Sequence, residues 1–276
     1  MKENYIDWNT QYPIIDWCGI KWQQDMENGR KIHPDLPWYY YHPSCVSEDL
    51  RGMILTIKER PAEVHHWDLP DGVNYHPRYA TGLLRSVDAF SYGDFELKCI
   101  LPKGRGLWPA FWLTHSTTWP PEIDVFEGYS NSCGGYGYWP LKVGKNPIAA
   151  GYKIQPNIHC GTYPDNHVMI GPDNVRLSVF KKPTESESIF KLTWRPGEIS
   201  IYYNGILVKH INNITHPSVF QQIDAYPWMD VIFDNWPNQN DLDKSTWQLK
   251  AFRKDPNFRP EFILKDFTYI PWNRKD

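Results

Sequence analysis

Three carboxylates crowd six residues of this chain, Glu122, Asp124 and Glu127 in the stretch PPEIDVFEG. Carboxyl groups held this close repel one another, and each like-charge neighbour raises the pKa of the group least able to stay ionised. The result is an ionised carboxylate beside a protonated carboxyl at one pH. Retaining glycoside hydrolysis requires that pair, a nucleophile and a general acid roughly 5–5.5 Å apart. In that chemistry Glu122 is the nucleophile and Glu127 the general acid/base. Asp124, between them, hydrogen-bonds the nucleophile, holds its orientation and helps keep Glu127 protonated. The bare pattern suits equally an acidic edge strand in solvent or a cation site, although calcium sites more often add loop carbonyls to their acids.

The element carrying these acids must be a strand. Pro120-Pro121 on one side and Gly128 on the other leave six residues, too few for a stable helix. On a strand the side-chain period is two, so Glu122 and Asp124 share a face. Glu127 falls on the opposite face unless a β-bulge absorbs one residue, and bulges re-aim side chains beside active sites. With the bulge all three acids face one groove, and Ile123, Val125 and Phe126 make the other face a buried one.

The rest of the chain supplies strands to flank this one. With 24 Pro and 18 Gly, turn chemistry recurs every ten or so residues, as in LPDG at 69–72, PKGRG at 102–106 and RPG at 195–197. Between those turns lie short β-branched and aromatic runs: MILTIKE from Met53, FELKCIL from Phe95, VRLSVF from Val175, IFKLTW from Ile189 and ISIYY from Ile199. ISIYYNGILVKHI reads as a hairpin closed at Asn204-Gly205. Residues 215–254 show weaker strand periodicity and suit a short helix or long loops. An all-β fold follows, an antiparallel two-sheet β-sandwich built as one domain over residues 1–276.

Bulk properties narrow the partners. Basic and acidic residues, 29 and 32, are interspersed for a net charge of −3, with no basic stripe for nucleic acid. No run of eighteen apolar residues offers a membrane span. The aromatic share is 16 %, with 14 Trp and 17 Tyr, and such side chains offer sugars a flat apolar face with a polar edge; β-sandwich cores are rich in them too. Five cysteines (Cys18, Cys45, Cys99, Cys133, Cys160) are odd in number and lack CxxC spacing, which excludes a full disulfide framework. The opening MKENYIDWNTQYP lacks the apolar core of a secretory signal. Export by that route is not expected unless a signal preceded this chain. A monomer is expected.

EIDVFE also resembles the bulged active-site signature of glycoside hydrolase family 16. The similarity runs upstream through TGLLRSVDAFSYGDFELKCILPKGRGLWPAFW (81–112) and downstream through IHCG at 158–161, FKLTWRPGEISIYYNG at 190–205 and KDFTYI at 265–270. The first fifty residues and 215–260 match only loosely. The resemblance implies a β-jelly-roll, concanavalin A-like sandwich with an open substrate cleft on its concave face. It also implies double displacement on internal β-linkages of glucans or galactans, or transfer to a second sugar. By position, Glu122 matches the nucleophile, Asp124 the assisting acid and Glu127 the acid/base. Trp108 and Trp112 match tryptophans that stack on sugars or wall the cleft, and Arg85 and His159 match polar cleft positions. Asp266 matches an aspartate that helps bind a structural calcium in family members, while catalysis requires no cofactor.

Trp119, just before the acids, is a further platform, and Trp139 in the YGYWP loop lines the cleft from the other side. His65, His66, His76 and His159 fit no usual metal spacing. The expected substrate is a β-1,3- or mixed-linkage β-1,3/1,4-glucan, ahead of a galactan of agar, porphyran, carrageenan or mucin type. Sulfated chains would need cations, and Arg78, Arg85, Arg105, Lys142 and Lys145 lie in or near the candidate cleft loops. A non-catalytic carbohydrate-binding sandwich is the alternative from another class. Three mutually repelling carboxylates serve no purpose there.

Overall fold

The computed structural model describes residues 4–6, 11–26, 39–65, 74–103, 107–128, 139–143, 146–171, 175–177, 183–237 and 259–273. For 4–6, 64–65, 74–75, 139–143, 146–153 and 175–177 it describes the backbone path alone. The strand signals of the sequence materialise locally. Asn204 and Gly205 both take left-handed backbone, with φ of 49° and 80°, and close a hairpin in which Tyr203 faces Ile206. Asn and Gly reach that region at least cost, which is why this dipeptide turns the chain here. The strands Gly93–Ile100 and Ser188–Arg195 alternate strictly between buried and half-buried side chains, as strands with one face on a core must.

These strands assemble into two large sheets whose described pairings are antiparallel. One follows the path Trp139–Val143, Asn146–Cys160, Glu122–Glu127, Leu107–Thr114, Asp230–Pro237, Leu83–Ser86, Ile20–Gln23, Ile15–Trp17. The other follows Ile206–Asn212, Glu198–Tyr203, Ser188–Arg195, Gly93–Ile100, Phe262–Pro271, Gly52–Leu55, Val46–Asp49. Their facing sides meet in one apolar cluster that includes Phe111, Ile123, Val125, Phe126 and Phe233 from the first sheet and Phe95, Phe190, Trp194 and Phe267 from the second. This is the expected β-sandwich.

Two features differ from the expectation. The segment 215–254 holds the short helix Pro217–Ile223, but also the strand Asp230–Pro237, which lies in the middle of the first sheet. Two small sheets include parallel pairs, Asn4–Ile6 with Ala62–His65 and Tyr39–Tyr41 with Tyr79–Thr81. The second small sheet covers part of the first sheet's outer face: Tyr39, Tyr41, Ile57 and Tyr79 pack with Leu83, Leu107, Ala110, Trp112 and Ile232 in a second apolar cluster. The first sheet's outer face is thus covered in part by this apolar cluster and is polar at the acids.

Candidate active site

The bulge forms where the acid spacing requires it. On one side Phe126 faces Phe111 and Asp124 faces Trp112, so Val125 has no opposite residue. On the other, Asp124 faces Asn157 and Glu127 faces Gln155, so Val125 and Phe126 together oppose Pro156. Proline has no N–H to give a ladder, and a position opposite a bulge tolerates that loss. Val125 and Phe126 are both fully buried in the core, and the Tyr203 hydroxyl, reaching across from the other sheet, donates to the Val125 carbonyl at 2.8 Å. The extra residue is absorbed on the core side, and Glu127 returns to the face of Glu122 and Asp124.

Directly opposed residues share that face. Thr114 and His159 flank Glu122, and Trp112 and Asn157 flank Asp124. Ala110 lies opposite both Glu127 and Asp234, and Trp108 lies opposite Trp236. The acids are held by N–H donors. Trp119 Nε1 donates to Glu122 Oε2 at 2.8 Å, and Trp108 Nε1 to Glu127 Oε1 at 3.2 Å. Asn157 Nδ2 donates to Glu127 Oε2, and Trp112 Nε1 to Asp234 Oδ2 at 3.0 Å. His159 Nε2 lies 3.3 Å from Asp124 Oδ2 and 3.7 Å from Glu122 Oε1.

The electrostatics are those of a crowded, buried acid cluster. Burial pushes Glu122 well above the usual carboxylate range, and the charge of Asp124 adds to the shift. Burial also raises Asp124, reinforced by Glu127 and opposed by a hydrogen bond with Glu122. Asp234 is raised by burial against its bond from Trp112, and further by Glu127 and Glu122. Charges so placed cannot all be present at once. Coupled carboxyls of this kind share protons, and the hydrogen bond between Glu122 and Asp124 makes each the other's orienting partner.

The sequence-derived residues divide into two groups. Glu122, Asp124, Glu127, Trp108, Trp119 and His159 come together at one place, with Trp119 41 % exposed. Trp112 and Arg85 lie on the same face of the sheet but only 7 % exposed, which differs from the expected contact with sugar. Trp112 packs in the second apolar cluster and holds Asp234. Arg85 is neutralised by Asp230 at 2.6 Å and donates to the Asp25 carbonyl. A buried guanidinium stays buried only when so paired. Arg78 is engaged at the surface by Glu59. Of Trp139, Lys142 and His65 only the backbone is described, and Arg105, Lys145, His66 and Cys133 lie outside the described residues.

Asp266 sits on the outer sheet with Lys98 Nζ at 3.5 Å from one oxygen and the Cys18 thiol donating to the other at 3.7 Å. Nitrogen and sulfur neighbours do not fit the oxygen cage that calcium takes.

Asp234, Asn157, Trp236 and His167 belong to the site but are not singled out by the sequence patterns above. DVIFDNW carries the signal for the first and third: Asp230, Ile232, Asp234 and Trp236 alternate with the core residues Val231 and Phe233. His167 hydrogen-bonds His159 at 2.8 Å, and their rings stack at 5.1 Å with 7° between planes. No spacing rule links two histidines across a loop.

With this geometry in hand, comparison with known proteins gives three findings. The family model described as Glycosyl hydrolases family 16 matches residues 36–251. Two endo-1,3-1,4-beta-glycanases of Rhizobium meliloti (strain 1021) are similar in sequence. EglC is 35 % identical over 101 residues, 34 % of this chain and 21 % of its own length; ExsH is 36 % identical over 120 residues, 40 % of this chain and 24 % of its own. This chain therefore matches less than a quarter of either relative's length. The laminarinase catalytic domain from Thermotoga maritima MSB8 has a similar fold, with a TM-score of 0.59 at 16 % identity over 96 % of this chain and 99 % of that one. The architecture is the jelly-roll sandwich.

Proposed function

The chain belongs to family 16 of the glycosyl hydrolases, and we propose that it is a retaining endo-glycoside hydrolase whose substrate is a β-1,3- or mixed-linkage β-1,3/1,4-glucan. The observation that carries this reading is the bulged strand Glu122–Glu127, which turns three acids to one face while Ile123, Val125 and Phe126 stay buried. In the first step Glu122 Oε1 attacks the anomeric carbon as Glu127 protonates the departing glycosidic oxygen, leaving a glycosyl ester on Glu122. Water, deprotonated by Glu127, then releases the sugar with its original anomeric configuration. Trp119 and Asp124 orient Glu122; Trp108 and Asn157 orient Glu127. The names of the two Rhizobium relatives support the choice of glucan.

The test incubates the protein and Glu122→Gln with laminarin, lichenan, agarose, porphyran, carrageenan and mucin glycans, with products read by chromatography, mass and the anomeric proton signals. The expected outcome is a ladder of β-anomeric oligosaccharides from laminarin or lichenan with the parent. In the variant turnover falls by on the order of 10⁴-fold or more while oligosaccharide binding persists. Cleavage of a galactan alone replaces the substrate assignment. Full activity in Glu122→Gln sinks the mechanism, and binding without cleavage by the parent makes the chain a carbohydrate-binding module.

A further inference from the structure

We infer that Glu122, Asp124 and His159 together form a binding site for a divalent transition-metal ion of the zinc class, whose occupancy blocks the nucleophile. The blocking, though not the binding, rests on the hydrolase reading above.

Each of the three residues offers one ligand atom, and these atoms lie within 4.8 Å of one another. The two edges through the imidazole are 3.3 Å, from His159 Nε2 to Asp124 Oδ2, and 3.7 Å, from His159 Nε2 to Glu122 Oε1. A tetrahedral ion with bonds of about 2.0–2.2 Å holds neighbouring ligand atoms about 3.3–3.5 Å apart. The first edge matches that spacing and the second exceeds it by a few tenths of an ångström, so small side-chain shifts bring the three atoms to a site that leaves its fourth position to water.

A second observation is independent of the acidic clustering. Asp124 is 3 % exposed, and its Oδ2 is a buried atom with no hydrogen-bond partner. It lies 3.3 Å from Nε2 yet makes no hydrogen bond to it, so two polar atoms converge on shared space. Glu122 approaches the same way: the bond from Trp119 Nε1 occupies Oε2 and leaves Oε1 as the oxygen toward His159. An orphaned buried carboxylate oxygen costs free energy that a cation recovers.

The remaining parts of a metal centre are also in place. His167 Nε2 lies 2.8 Å from His159 Nδ1. When His159 Nδ1–H donates along that line, Nε2 carries the lone pair and points it at the acids, the tautomer a metal requires. One imidazole with two carboxylates selects zinc-like ions over calcium or magnesium, which prefer oxygen alone.

The experiment is calorimetric titration of ZnCl2 into the chelator-stripped full chain. Parallel hydrolysis assays run with and without Zn²⁺, and thermal melts confirm that each variant is folded. The parent is expected to bind one Zn²⁺ in competition with oligosaccharide, with the inhibition constant equal to the dissociation constant. Asp124→Asn and His159→Gln each weaken binding beyond about 100-fold, and His167→Leu, which removes only the outer partner, weakens it about 10-fold. No binding up to millimolar Zn²⁺, or binding unchanged in folded Asp124→Asn and His159→Gln, overturns the site. Hydrolysis that proceeds unaffected by saturating Zn²⁺ overturns the blocking of the nucleophile and leaves the hydrolase reading standing, whereas Zn²⁺ binding by a parent that cleaves no glycan upholds the site and overturns the hydrolase reading.

Discussion

The strand Glu122–Glu127 presents two faces to opposite environments. Ile123, Val125 and Phe126 lie fully buried between the sheets, with the Phe126 and Phe190 rings 4.2 Å apart. On the reverse, Glu122, Asp124 and Asp234 are each raised first by burial and then by the charge of a neighbouring acid, Asp124 for Glu122 and Glu127 for the other two. One face stabilises the fold and the other strains it. The bulge is what lets the two coexist, since it places successive apolar residues in the core without turning an acid away from the groove. Stability is thus drawn from residues that never meet the reaction, and the acid face is free to hold an arrangement that folding alone would disfavour.

The largest effect expected from breaking the comparison comes from Glu127→Gln. It removes the proposed acid while keeping the side chain's shape and one of the two bonds it accepts from Trp108 and Asn157, so kcat is expected to fall by roughly 10²–10⁴-fold on polysaccharide. A dinitrophenyl glycoside, whose leaving group needs no proton, is expected to lose far less in its first step. Equal losses on both substrates would remove Glu127 from the acid role. On the other face, Phe126→Ala should cost about 3–5 kcal/mol of unfolding free energy, measured by urea titration. A cost below about 1 kcal/mol would mean that the core side does not hold the bulge.

A smaller, sharper change is Trp119→Phe. It keeps the exposed ring over His159 and His167 but deletes the Nε1–H that orients Glu122. A hydrogen bond to a charged group is worth about 1.5–3 kcal/mol, so kcat should fall about 10- to 100-fold with little change in KM. A rise in KM at constant kcat would make Trp119 a sugar platform instead of an orienting group.

Much of this division is legible in the order of the residues alone. The period of two, interrupted at one point, marks both the strand and its bulge in EIDVFE, and Asn204-Gly205 marks its hairpin. Legibility ends where a residue's neighbours come from distant chain. Arg85 reads as a cleft cation because nothing local reveals that Asp230, 145 residues away, neutralises it. Trp112 reads as a sugar wall because Tyr39 and Tyr41, in its apolar cluster, lie in the loosely matched first fifty residues. Asp234 is hidden because the surrounding Pro, Asn and Trp obscure an alternation that is nonetheless present in DVIFDNW.

The finest test reverses the usual sign of a core substitution. Asp234 is fully buried, its Oδ2 accepts from Trp112 Nε1, and its Oδ1 has no hydrogen-bond partner. Its folded pKa lies above its unfolded one, as do those of Glu122 and Asp124. A raised carboxyl contributes stability that is complete below the usual range of about 3.9–4.3 and is lost as pH rises through the folded value. Asp94, lowered by Lys191 and Arg195 against its own burial, works in the opposite direction, since its contribution is lost as the pH falls. Only a difference between two proteins therefore isolates Asp234. Asp234→Asn still accepts from Trp112, and its amide can donate toward Glu127, whose charge acts on this position. The variant should be more stable than the parent at neutral pH by about 0.5–2 kcal/mol, which melting resolves at roughly 2–4 °C per kcal/mol for a chain near this size. The advantage should vanish as the pH is lowered to about 4, while activity falls because the acid face has lost one of its mutually constraining charges. A variant less stable than the parent at neutral pH would show that Asp234 is a net support, and that the acid face strains the fold less than its crowding implies.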